Sequence, residues 1–167
     1  RDLAKKLDLD VANKKDSVGI CFVGEKNMKN FLGKFINLKK GSIVDENGEV
    51  IGQHNGASLY TEGQRHGLMV GGIKGKKELP WYVYKKNIKN NIVHVCQGTN
   101  NPLLMKIGVE VDKINWINSR SSKTNLLVQI RHQQEPIKCQ LIKKDKTFKI
   151  LFNEPIRGVA PGQYAVL

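Results

Sequence analysis

Met28, Phe31, Leu32, Phe35 and Ile36 recur at i, i+3, i+4, i+7 and i+8, a spacing that predicts an amphipathic helix with Gly33 as its one weak position. Upstream, Leu3, Ala4 and Leu7 keep helical spacing until Asp8 and Asp10 interrupt it, so a short helix should run into the polar loop Asn13-Lys14-Lys15-Asp16-Ser17. Between these helices lies Gly19-Ile20-Cys21-Phe22-Val23-Gly24. After Gly41 the apolar period shortens to that of strands. Ile43-Val44-Asp45 and Glu49-Val50-Ile51 flank Asn47-Gly48, which predicts a two-residue hairpin turn with both residues at positive φ. Further strands are expected at 58–61, 68–70, 81–84 and 92–95, the last two joined by a turn over 87–91. Gly98 to Pro102 reads as a break, and a second β series follows at 107–117, 125–131, 137–143 and 148–152, with a last strand from Tyr164.

This layout predicts a mainly β protein: a short helical entry segment over 1–40, a small central β domain over 41–103, and a second, mostly antiparallel β module over 104–167. A chain of 167 residues is long enough for one compact domain or two small ones. It opens on Arg1 rather than Met and stops inside an expected strand, which suggests a portion of a longer protein.

Charge changes the picture more than composition does. Lys and Arg number 28 against 15 Asp and Glu, a formal net charge of +13. Such an excess favours a polyanionic partner, because neutralising phosphates releases counterions. A lysine-rich solvated surface accounts for the charge equally well. No stretch approaches the ~18 consecutive apolar residues of a membrane span, and no membrane partner is expected.

Three cysteines, Cys21, Cys96 and Cys139, show neither a disulfide framework nor zinc-ligand spacing, and no metal site is expected. Cys96 and Cys139 sit in strand patterns and read as packing residues. Cys21, between Ile20 and Phe22, reads either as a small core hydrophobe or as an exposed thiol in a glycine-flanked loop, where Lys14 and Lys15 would favour the thiolate. His54, His66, His94 and His132 form no catalytic or metal signature. Gly63-Gln64-Arg65-His66-Gly67 is either a loop that lets a guanidinium approach a phosphate or an ordinary turn with an exposed arginine. Gly71-Gly72-Ile73-Lys74-Gly75-Lys76 lacks the strand-to-helix setting of a phosphate cradle.

The run Lys14-Lys15-Asp16-Ser17-Val18-Gly19-Ile20-Cys21-Phe22-Val23-Gly24 resembles the signature of the tRNA-specific 2-thiouridylases, the MnmA family. Gly41-Ser42-Ile43-Val44-Asp45, Tyr60-Thr61-Glu62-Gly63-Gln64-Arg65-His66-Gly67-Leu68, Pro80-Trp81-Tyr82-Val83 and Pro161-Gly162-Gln163-Tyr164-Ala165-Val166 agree with it in the same order. The resemblance covers the whole chain but only the later part of the family's architecture. It implies that the 104–167 module is a C-terminal antiparallel β-barrel that contacts tRNA. It also implies that an N-terminal ATP pyrophosphatase domain, with its own redox cysteine, is absent from this chain.

In the family, ATP activates C2 of the wobble uridine of tRNA, and a persulfide on the cysteine of the GICF motif delivers sulfur. By motif position that cysteine is Cys21, which would afterwards form a transient disulfide with the upstream cysteine. The resemblance further implies tRNA contacts by Arg131, His132 and Gln163, with Lys14, Lys15, Asp16, Gln64 and Arg65 in support. Gln133 and Lys138 depart from the family's pattern around that arginine. ATP, held outside this chain, is the one cofactor expected, and tRNA and a persulfide-relay sulfur donor are the partners. A bacterial cytoplasm is the expected setting, with a mitochondrion or other organelle as the alternative. The rival expectation is a non-catalytic RNA-binding β module.

Overall fold

Residues 2–13, 28–117, 125–131, 134–144 and 147–167 are described by the computed structural model. The chain divides into a unit over Arg1–Asn37 and a second over Leu38–Leu167. The first holds α1 (Asp2–Lys6), a 3-10 turn at Asp10–Asn13 and α2 (Met28–Leu32). Asp2 in the first turn of α1 and Lys5 and Lys6 in its last complement the helix dipole. The amphipathic stripe from Met28 is therefore helical for a shorter span than its spacing predicts. The helix gives way at Gly33, the residue with the highest entropic cost there, and Phe31 and Phe35 still meet with ring centroids 5.2 Å apart.

The second unit is built on two four-stranded sheets. In the first, β1 (Gly41–Val44), β2 (Val50–His54), β3 (Trp81–Asn87) and β4 (Ile92–Gln97) take the order β2-β1-β4-β3. The β1–β4 pair is parallel, so this module is less uniformly antiparallel than expected. A parallel pair needs a long crossover, and residues 55–80 provide it. Within that crossover the strands expected at 58–61 and 68–70 do not form: Ala57–Leu59 is a 3-10 turn and 68–70 is irregular. Gly56, Gly63 and Gly67 at positive φ turn the chain out of extended geometry. The apolar side chains keep their value by capping the sheet, where Ala57, Tyr60 and Leu68 pack with Ile43, Val83, Val93 and Val95.

The β1–β2 connection also differs from the expected turn. Gly48 has φ +85° but Asn47 is not at positive φ, and Gly48 N–H donates to Asp45 O at 3.1 Å. A register shift after Ile43 completes a longer, bulged loop. The Asp45 carboxylate closes it by accepting from Asn47 N–H at 2.9 Å and Glu49 N–H at 2.8 Å.

The second sheet is antiparallel throughout: β5 (Met105–Val111), β6 (Asn125–Val128), β7 (Ile137–Lys144) and β8 (Thr147–Arg157) in the order β5-β8-β7-β6. β5 is shorter than the predicted 107–117 strand at its far end, and β8 runs past the predicted stop at Phe152. Pro155 cannot donate to a ladder, yet β8 continues because its register with β5 shifts between Lys106 and Gly108, beyond the last β7 partner at Phe152. Gly108 permits this, since a Cβ there would meet Ile150 O at 2.6 Å. The last strand from Tyr164 reduces to one antiparallel bridge, Gln129 with Val166. Among the described residues no pairing of β5 with β6 closes this sheet into a barrel. Its core is Val128, Ile130, Cys139, Ile150, Phe152, Ile156 and Val159.

Candidate nucleic-acid interface

Two loops meet where the sheets adjoin. Gly63 N–H donates to Val83 O at 2.7 Å and Gln64 O accepts from Val83 N–H at 2.9 Å, which lays the 63–64 segment along β3. From the second sheet, Gly158 N–H donates to Leu104 O at 3.1 Å. Gly63 has φ +86° and Gly158 φ +68°, and a Cβ on Gly63 would stand 2.9 Å from the Gly158 Cα. Only a residue without a side chain fits at this crossing.

Arg131 clasps it. Its Nη2 donates to Gly158 O at 2.5 Å and reaches Glu62 O at 3.5 Å, joining residues far apart in the chain. One residue before Gly158, Arg157 holds its guanidinium carbon 4.2 Å from the centroid of the Tyr82 ring. Two residues after Gly63, Arg65 is exposed. The Tyr82 hydroxyl, paired with Thr99 Oγ1 at 3.2 Å, is held below its ordinary pKa, first by that bond and also by Arg157 and Arg65. The seam carries a shallow groove that encloses no cavity and is lined by Glu62, Gly63, Lys106 and Gly158 among others. Such a surface suits an extended polyanion rather than a small molecule.

The residues singled out in the sequence fall in three groups. Arg131 and the Gln64–Arg65 loop are brought together. Gln64 itself builds the loop: its amide oxygen accepts from Thr61 N–H at 3.0 Å and its amide nitrogen donates to His66 O at 2.8 Å. Gln163 is exposed beyond Gly162, and the Gln129–Val166 bridge sends the segments leading to Gln163 and Arg131 off on the same side. Cys21, Lys14, Lys15, Asp16 and His132 lie outside the described residues.

Cys96 and Cys139 are buried, as their strand patterns suggested. Burial, reinforced by Glu46, pushes the Cys96 thiol up to about 11, and burial raises Cys139 as well. Neither is a nucleophile at neutral pH. Gly71 to Lys76 does not fit a phosphate cradle, because Lys76 Nζ is held 2.7 Å from both Asp45 Oδ2 and Glu49 Oε2. Arg157 was not marked by the sequence; it sits at the end of a strand whose continuation past Pro155 needed the bulge, and no motif surrounds it.

Two family models match the chain: a tRNA methyl transferase PRC-barrel domain over residues 29–97 and an aminomethyltransferase beta-barrel domain over residues 107–167. Relatives named tRNA-specific 2-thiouridylase MnmA are 48% identical in Buchnera aphidicola subsp. Acyrthosiphon pisum and 45% in Blochmanniella floridana, in each case across 99% of this chain and 46% of the relative. The relative from Shewanella sp. strain MR-4 is 41% identical across 99% of this chain and 45% of its own length. The chain thus spans about half the length of the curated relatives it matches.

Proposed function

Because the chain belongs to the tRNA-specific 2-thiouridylase family, we propose that it forms the central and C-terminal domains of an enzyme that transfers persulfide sulfur to C2 of a uridine in tRNA. The observation that carries this is a similarity running through 99% of the chain into proteins of that name. It disfavours a free-standing RNA-binding module.

In this reading residues 1–40 carry the sulfur on Cys21, 41–103 form the central domain and 104–167 the tRNA-contacting one. When bound, ATP supplies a leaving group at C2 of the uridine; nothing among the described residues of this chain fits it, and it belongs to the family's N-terminal half. The task of this chain is to hold the sulfur and the RNA. The terminal sulfur of a Cys21 persulfide bonds to the activated C2 as the C2–O bond breaks and the leaving group departs with that oxygen, and attack by the family's upstream cysteine on the Cys21 sulfur then breaks the S–S bond. The 2-thio group is left on the RNA and a disulfide on the protein. Arg131, His132 and Gln163 contact tRNA, with Lys14, Lys15, Asp16, Gln64 and Arg65 in support. A persulfide-relay protein loads Cys21, and the bacterial sources of the relatives favour a cytoplasmic setting. Among the described residues no helix is long and apolar enough to cross a membrane.

The test is thiolation of a tRNA transcript by the protein joined to the family's N-terminal half. Cys21→Ser should abolish 2-thiouridine formation, whereas Cys96→Ser and Cys139→Ser should retain it. Thiolation by the Cys21→Ser protein would end this assignment.

A further inference from the structure

Arg131 and Arg157, from distant parts of the sequence, come together at the crossing of the two loops, Arg65 is exposed two residues after Gly63, and none of the three uses a carboxylate. Arg131 bonds to backbone carbonyls and Arg157 lies on an aromatic ring. Among the described residues no ion pair involves Arg65, Arg131 or Arg157, although Glu62 lines the groove nearby. Neutral partners orient a guanidinium without cancelling its charge. Two further features favour a ligand for Arg157. The Tyr82 ring is buried and anchored to Thr99, so it is a fixed platform. With that ring against one face and the Tyr82 hydroxyl taking one of its donors, the guanidinium keeps further N–H groups, whose fork matches the spacing of phosphate oxygens.

We propose that Arg157, laid across Tyr82 and flanked by Arg65, binds a backbone phosphate of the RNA at the seam between the two sheets. The absence of an enclosed cavity at the seam favours a phosphodiester in an extended strand over a free anion. Arg131 then acts in part as a positioning residue. By bonding Gly158 O it fixes the turn that follows Arg157, and so the direction in which the Arg157 side chain leaves the sheet.

This inference rests on the RNA-binding reading above, and one titration separates the two. Filter binding of an unmodified tRNA transcript is followed from low to high salt for the wild-type chain, Arg157→Gln, Arg157→Ala and Arg157→Lys. Loss of one phosphate contact should weaken binding about fivefold or more and lower the slope of log K against log salt by about one for Gln and Ala. Arg157→Lys should restore the slope, since a point charge still displaces a counterion, but not the full affinity. Gln retains a side chain long enough to cover Tyr82, so it carries the test if Ala does not fold. Wild-type affinity and slope in Arg157→Gln would overturn the Arg157 assignment while leaving the RNA-binding reading intact. A wild-type chain that fails to bind tRNA even at low salt would remove both.

Discussion

Lys76 and Arg131 are both cations that pin a loop, yet they leave opposite electrostatic results. Lys76 sits between two carboxylates, one of them buried, and those bonds lift it to about 12. It holds residues 71–77 to the β1–β2 loop and has no charge left over for a partner. Arg131 does the equivalent work at the seam with carbonyl oxygens, which fix its position and leave its charge undiminished. A cation neutralised by acids serves the fold, whereas one held by neutral acceptors serves the fold and keeps its pull on a polyanion. The net +13 therefore says less about binding than the identity of each cation's neighbours does.

The comparison breaks most readily at the two glycines of the seam. Gly63→Ala meets both a positive φ and the Gly158 backbone, so it should cost about 2 kcal/mol or more. Gly48→Ala, at nearly the same φ but facing open space, should cost about 1 kcal/mol. Urea unfolding of both variants measures the difference, and equal losses would mean that the loops are not tightly seated.

A smaller effect, in binding rather than stability, should separate the cations. Arg131→Ala should weaken tRNA binding about tenfold and lower the salt slope by about one, while Lys76→Met leaves the slope unchanged. A slope that falls equally in both variants would erase the distinction drawn between them.

The smallest effect is in the pH profile of the melting temperature. Burial pushes the Asp45 carboxyl up, but Lys76 and the N–H groups of Glu49 and Asn47 outweigh it and hold it below its ordinary 3.8. A depressed carboxyl contributes stability above the unfolded value, and that contribution should fade as pH falls below 3.8. Lys76, raised from 10.5 to about 12, contributes fully below 10.5 and should lose its contribution as pH rises through 12. Lys76→Met should lose the alkaline limb and flatten the acid one, which retains the part due to the backbone donors. An unchanged alkaline limb would show that another group sets it.

Much of the fold was legible in the chain because strand pairs close in sequence carry their own signals. Asn87 to Asn91 marks the β3–β4 turn, and the structure explains why Asn suits position 91, where φ is +53°. Its side chain also bonds Lys39 O, Lys40 O and Ala57 N–H. The failures fell where long-range packing overrode local pattern. Leu68 has the apolar character of a strand residue, yet it is buried as a cap over someone else's strands. In the candidate site, Arg131 and the Gly63–Arg65 loop were each visible, but their meeting was not, and Arg157 carried no local mark at all.

By itself the sequence determined which residues are apolar at strand or helix spacing, where glycine and asparagine must turn the chain, and which family the motifs resemble. These follow from side-chain chemistry and short-range sterics, which act within a few residues. Only the tertiary structure decided that β1 lies parallel to β4, that Lys76 is neutralised, and that Arg131 and Arg157 are held by neutral groups at one seam. Those outcomes depend on which distant segments come within bonding distance, and a charge acquires its role from the neighbours that folding places beside it.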